Sequence, residues 1–230
     1  MLYEIAHIIK ARFGFLWDAI EWGNAEVFAL MHRNAMAKIP QLLNDCSSRY
    51  SLRLATPDDI KLMKAFFDAQ PNEAFKFFQP HEFSEKGIKK VVLNKSFLTF
   101  VAMDGNEIAG YFFMRSFVNG KTFKGYMVGI THRGKGVARE MGFAMNKVAK
   151  ELGLRMFKSI SPENPASLAV TKKVNDIKIL KTLENGDMLI ECFEKADNQQ
   201  LTGGVFLRLI EIEFIEFSCR QQVKPQKLAA

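Results

Sequence analysis

Cysteine is scarce in this sequence: Cys46, Cys192 and Cys219 are odd in number and far apart. With no C-x-x-C pair and no Cys/His cluster, neither a disulfide framework nor a zinc site is indicated, and no metal is expected. A run of about 18 uncharged apolar residues, the minimum for a membrane-spanning helix, is also missing. Near the start, Glu4 comes early and Lys10 and Arg12 late, the wrong order for a secretory signal. The expectation is a cytoplasmic protein without stable membrane insertion. No internal repeat or low-complexity tract is present.

What is there can bury a full core. The chain has 230 residues, 48% of them hydrophobic, and reads as one domain with additions. Its net charge of +7 is unevenly placed: residues 1–50 hold five basic and five acidic side chains, residues 51–194 hold 22 and 16. The aromatics Phe75, Phe77, Phe78, Phe97, Phe100, Phe112 and Phe113 fall in core-like positions, which argues against nucleic acid. An acidic small ligand suits the excess better.

One stretch points to that ligand. Tyr126 to Ile130 reads as a strand, and Val137, Met141, Ala144, Val148 and Leu152 are spaced as one helix face. Between them Gly134 and Gly136 free backbone N–H groups at a helix N-terminus, a cradle for phosphate. Gly129-Ile130-Thr131-His132-Arg133-Gly134-Lys135 fits a Walker A loop until its last position, where Gly136 replaces the Ser or Thr that holds magnesium. A dinucleotide G-x-G-x-x-G fails because Arg139 stands where its third glycine belongs.

Taken in order, residues 1–47 are helix-rich, with Ile5, Ile8, Ile9, Phe13, Leu16 and Ile20 on one face, Gly23-Asn24 as a break and Pro40 starting a further turn. Trp17 and Trp22 are expected to anchor this segment by packing. Ser51 to Ala55 alternates like a strand, and Thr56-Pro57-Asp58-Asp59 is a helix start. Gln70 to Phe83 is an aromatic loop, followed by a helix to Leu93. Phe97–Met103 and Ile108–Phe117 form a hairpin across Asp104-Gly105-Asn106, and Thr122–Ile130 joins it. After the cradle helix come a strand at Met156–Ser161, a helix opened by Asn164-Pro165, and strands at Ile177–Leu183 and Met188–Phe193. Val205 to Phe217 favours a strand weakly, and Lys227-Leu228-Ala229-Ala230 reads as a vector-derived tail. The domains are therefore 1–50, a helical extension; 51–194, the folded domain; and 195–230, a C-terminal extension that includes the tail.

The run Arg133-Gly134-Lys135-Gly136-Val137-Ala138 resembles the R/Q-x-x-G-x-G/A loop of the GNAT superfamily of N-acetyltransferases, and the element order β-α-α-β-β-β-α-β-α-β-β resembles its layout. Asn164 to Val174 resembles the family's N-x-x-S-x-x-V-x-x-K-L-G-F helix, with Asn175 and Asp176 in place of Gly and Phe. The resemblance implies an α/β (α+β) fold: a mixed, mostly antiparallel sheet of about seven strands, helices on both faces, and here a helical N-terminal extension. It implies acetyl-CoA as co-substrate, met by Val128, Ile130, Arg133, Gly134, Lys135, Gly136, Val137, Ala138, Asn164 and Ser167. It further implies direct attack by an amine, an oxyanion held by the Val128 N–H, and a cradle strand splayed from its neighbour.

The strand Thr122–Ile130 has no Asp or Glu to serve as base, and the Asn164 helix lacks the tyrosine that family members often carry, offering Ser167 and Thr171 instead. His81 and Glu82 are the first candidates for the base, then His132 and Tyr126; Thr171 stands at the acid position. An aromatic loop with few carboxylates suits a small primary amine such as an amino sugar. A protein N-terminus or lysine, and a non-catalytic coenzyme A scaffold, are the alternatives. A homodimer through either extension is a further candidate arrangement.

Overall fold

The structure, a computed structural model, describes residues 14–195. Seven strands form one sheet: β1 (Ser51–Leu54), β2 (Phe97–Asp104), β3 (Glu107–Ser116), β4 (Lys121–Val128), β5 (Arg155–Ile160), β6 (Asn175–Thr182) and β7 (Met188–Glu194). Their order is β1-β2-β3-β4-β5-β7-β6. Every neighbouring pair is antiparallel except β4 and β5. The helices are α1 (Gly14–Met31), α2 (Arg33–Met36), α3 (Ile39–Cys46), α4 (Ile60–Asp68), α5 (Glu85–Val92), α6 (Val137–Glu151) and α7 (Pro165–Val174). The expected order of strands and helices is the observed one.

β2 and most of β3 are buried on both faces, so each contributes side chains to two cores. On one face Val101, Tyr111, Phe113 and Met127 meet Met63, Phe66 and Phe67 of α4 and Ile88 of α5. On the other, Phe100, Phe112 and Met114 meet Leu43 of α3 and Val137, Met141 and Met145 of α6. Gly110 permits that second contact, because a Cβ there would come within 2.9 Å of Val137 and 2.8 Å of Met141.

The Thr56 capping box forms as the sequence predicts, with Asp59 reaching back to the Thr56 N–H, but its first turn is a 3-10 helix, Pro57–Asp59. Arg53 Nη1 and Nη2 each donate to the Asp59 carboxylate at 2.7 Å. These bonds hold the Asp59 carboxyl down at about 2.

Two expectations for the N-terminal segment are overturned. Helix α1 runs straight through Gly23-Asn24. The asparagine fastens the helix instead: its Nδ2 donates to Ser96 Oγ and to the Ser116 carbonyl, and its Oδ1 accepts from the Val118 N–H. The packing anchor is Phe28, fully buried, whereas Trp22 is 67% exposed. Both outcomes follow from which helix face meets the ends of strands β2 and β3, a choice that short-range spacing cannot make. The side chain of Trp17, the Ile5–Phe13 periodicity, the 205–217 stretch and the C-terminal tail lie outside the described residues. No described helix is long and apolar enough to cross a membrane.

Candidate active site

The sheet opens where its one parallel pair ends. β4 and β5 are in register at Lys121–Arg155, Thr122–Met156 and Phe123–Phe157, and pairing stops there. Beyond Phe123, β4 stays bonded to β3 as far as Gly110–Val128, and the Gly129 N–H donates to the Ala109 carbonyl at 2.9 Å. In an antiparallel ladder, hydrogen-bonded and non-bonded pairs alternate. That bond therefore fixes the phase, and the peptide groups of Tyr126 and Val128 turn away from β3 toward the gap. The expected splay is present.

The chain then makes a 3-10 turn, Ile130–His132, and enters α6 through Gly134 and Gly136, at φ +76° and +92°. Both are in the left-handed region that favours glycine. Nothing lies within 4 Å of where their side chains would be, and α6 has no side-chain cap. The N–H groups of Val137 and Ala138 have no acceptor within the helix, because first-turn donors never do. Arg133 and Lys135 are exposed beside them. An uncapped helix start flanked by two cations favours an anion. The Val137 side chain is buried in the core, so only its backbone can face the cradle. The Ile130 N–H is already engaged by Gln70 Oε1 at 3.0 Å, while Gln70 Nε2 donates to the Phe66 carbonyl. His132 braces the turn, 3.2 Å from Asp104 and 2.9 Å from Thr131.

Inside the splay the side chains are polar. Lys124, Tyr126, Thr171 and Asn175, with Ala138, Gly142, Met145, Val170 and Val174, line a shallow recess with room for about one water molecule, and the surface it exposes is apolar. Lys124 Nζ donates to Asn146 Oδ1 at 3.2 Å and Asn175 Oδ1 at 2.8 Å. Lys158 Nζ donates to Ser167 Oγ at 2.9 Å and lies 4.0 Å from the centre of the Tyr126 ring. Burial pushes both ammonium groups down to about 8 and raises the Tyr126 and Cys192 groups nearby. The Tyr126 hydroxyl is itself buried without a hydrogen-bond partner. Asn164 caps α7 by accepting from the Ser167 N–H, and Thr171 Oγ1 donates to the Ser167 carbonyl. The lysines escaped the sequence reading, because both strands carry other polar residues, Lys121 and Thr122 in β4 and Arg155 and Ser159 in β5, and nothing local marks which cation is buried.

His81 and Glu82 sit on the opposite face, in the loop between α4 and α5. His81 Nδ1 donates to the Glu82 carbonyl, so Nε2 is the acceptor, taken by the Tyr111 hydroxyl at 2.8 Å. Rings of Phe67, Phe83 and Phe97 surround it, and burial holds the imidazole down at about 4. Phe75, Phe78 and Phe83 also turn inward, leaving Phe77 exposed. Glu82 is exposed, its carboxylate accepting from Ser84 Oγ at 2.7 Å. His81 and Thr171 are thus separated by the sheet. Among the described residues no group of three His, Cys, Asp or Glu could hold a metal ion.

These features are those of an acyl-transfer domain. The acetyltransferase (GNAT) domain model matches residues 49–175, and the chain belongs to that family. Among solved structures it is similar to the GNAT domain of PAT from S. lividans, at 20% identity over 62% of this chain and 89% of that one, TM-score 0.54. The ribosomal-protein-S5-alanine acetyltransferase from Vibrio fischeri gives 20% identity over 67% and 97%, TM-score 0.52. AAC(6')-Ib, in complex with Parmomycin and AcetylCoA, gives 14% identity over 64% and 94%, TM-score 0.52. At such identities the likeness shows the fold. No curated protein matches the sequence.

Proposed function

We propose that this chain is an acetyl-CoA-dependent N-acetyltransferase acting by direct attack of a primary amine on the thioester. The observation that carries the reading is the adjacency of the open β4–β5 gap to the uncapped glycine turn, since Ala138, in the first turn of α6 after Gly136, also lines the recess. The turn would take the pyrophosphate of the co-substrate, the free peptide edge of Tyr126 and Val128 its pantetheine arm, and the Val128 N–H the oxyanion. Asn164 and Ser167 border the same gap. Glu82 is the base in this reading, directly or through water, because His81 Nε2 is engaged and weakly basic. In this reading the Tyr126 hydroxyl, whose pKa burial raises, returns a proton to the leaving thiolate. The acceptor is a small primary amine such as an amino sugar; the loop offers it few carboxylates, and a fold neighbour is described with an aminoglycoside.

Thermal stability with acetyl-CoA, coenzyme A and Mg-ATP is the first test. At about 100 times the dissociation constant a ligand adds roughly 2.7 kcal/mol. Acetyl-CoA should give such a shift, a Gly136→Trp variant none, and stabilisation by Mg-ATP alone would overturn the reading. Thiol release across amino sugars, polyamines and peptides then locates the acceptor, and turnover of peptides only would reassign it to protein. Glu82→Gln should lower kcat by about 100-fold or more without changing coenzyme A binding. Two observations favour a second reading, coenzyme A binding without turnover: β4 carries no carboxylate and His81 is occupied. Intact coenzyme binding with no thiol release from any amine would select it.

A further inference from the structure

Between the acceptor loop and the cradle stands one buried amide. Gln70 directly follows Ala69, the C-cap of α4, and is only 8% exposed. Its own N–H donates to the Phe67 carbonyl at 3.1 Å, which tightens the helix end and leaves the Phe66 carbonyl without its i+4 backbone donor. The side chain takes that place: Nε2 donates to the Phe66 carbonyl at 2.7 Å. A primary amide with its nitrogen so engaged turns its oxygen the other way, and Oε1 accepts from the Ile130 N–H at 3.0 Å. The two ends of that bond are 60 residues apart in the chain.

Ile130 is where β4 has left the sheet. Two residues earlier Val128 turns its N–H toward the gap. Between them Gly129 donates to the Ala109 carbonyl at 2.9 Å, and its carbonyl accepts from the His132 N–H at 2.8 Å. The Gln70 bond fixes the next peptide, so the step from the oxyanion strand to the glycine turn is held by β3 through Ala109 and by α4 through Gln70. Phe66 closes the same spot, since a Cβ on Gly129 would lie 3.2 Å from its ring. On its other side Gln70 leads directly into Pro71 and the loop that carries His81 and Glu82. One amide therefore sets both the start of the cradle turn and the departure point of the acceptor loop. Losing either partner would leave a buried polar group unpaired, so moving one end alone is costly.

We propose that Gln70 is a positioning residue for acetyl transfer, holding the acceptor loop in register with the Val128 N–H and coupling that loop to the filled cradle. It touches neither the thioester nor the amine. This rests on the acetyl-CoA reading above and goes beyond it to the link between its two half-sites. Placement of this kind matters, because a displacement of about 1 Å far from the reacting atoms can lower a rate about 100-fold.

The test follows backbone deuterium exchange of the wild-type chain with and without acetyl-CoA, with binding measured separately by calorimetry. Saturating acetyl-CoA should slow exchange across residues 71–83 by about fivefold or more, the lower end of ordinary coupling between two sites. Gln70→Leu, which removes both bonds, should still bind acetyl-CoA while its loop keeps the ligand-free rate. Gln70→Glu, which keeps an oxygen facing Ile130, should restore the slowing. With an amine that releases thiol, Gln70→Leu should lower kcat by about tenfold or more and leave the KM for acetyl-CoA nearly unchanged. A loss confined to that KM would make the bond part of coenzyme binding and overturn the positioning role. Unchanged loop exchange in the wild-type chain with acetyl-CoA bound overturns the proposal and leaves the acetyl-CoA reading standing, and that arm does not depend on any variant folding. A loop protected as fully in Gln70→Leu as in wild type overturns it as well. If acetyl-CoA does not bind the wild-type chain, the reading beneath the proposal has failed, and the proposal with it.

Discussion

The two faces of the sheet bury their contents in opposite ways. On the α4–α5 face, aromatic rings fill the space: Phe67 lies 4.3 Å from Phe83 and 5.1 Å from Tyr111, and the polar groups among them, such as His81 with Tyr111, satisfy themselves. On the α6–α7 face the core is equally apolar near Phe112 and Met141, but beside it the strands part and two cations are held on neutral acceptors. The closed face spends its polar groups on internal pairing. The open face leaves charge uncompensated, and a functional cleft differs from a core in that respect.

Substitutions should separate the two faces by sign. The largest effect is expected at Phe67, which is almost fully buried among four aromatic neighbours. Phe67→Ala should cost about 3–5 kcal/mol in denaturant unfolding. A cost under about 1 kcal/mol would mean that this face is loosely packed and the comparison false. The open face should respond in the other direction. Lys124→Met removes a buried charge while Asn175 Nδ2 continues to donate to Asn146 Oδ1 at 2.8 Å, and a gain of about 2 kcal/mol at pH 7 is expected. The titration carries the same sign. With folded values near 8 against an ordinary 10.5, the unfolded chain binds more protons between these pH values. Stability due to the lysines is therefore fully present only above about 10.5 and is lost as pH falls through 8. Urea midpoints measured from pH 7 to 10.5 should rise for the wild-type chain and less steeply for the variant.

How much of this was legible depended on range along the chain. Strands and helices from Ser51 to Glu194 could be read because their periodicities, the Thr56 box and the Asn164 cap are local signals, complete within four residues. The glycine turn was legible for the same reason. The splay could be expected only through resemblance, since it depends on where β5 stops pairing with a strand some thirty residues earlier. The role of Asn24 was hidden because its partners, Ser96, Ser116 and Val118, are far away in sequence. His81 read as a candidate base in a loop, and only the fold brings Tyr111 against it. Lys124 and Lys158 drew no reading, because burial of a charge has no local signature in strands that carry other polar residues.

The smallest predicted effect sharpens the contrast between charges that are paired and charges that are not. Arg53 and Asp59 form a two-bond ion pair, and Asp59 also accepts from the Thr56 N–H and hydroxyl, so this carboxylate has partners on every side. Its folded value of about 2 lies below the ordinary 3.8. The stability it contributes is accordingly present above about 3.8 and lost as pH falls toward 2, the acid counterpart of the alkaline gain expected from the lysines. Because the Arg53 side chain is 40% exposed, solvent screens the pair. Asp59→Asn should therefore cost only about 1 kcal/mol at pH 7, part of it from the weakened capping box. Unfolding midpoints of wild-type and variant chains should converge as pH approaches 2. A variant as stable as wild type at pH 7 would show that the pair contributes no more than its desolvation costs, and that complete partnering is not what distinguishes the closed side of the molecule from the open one.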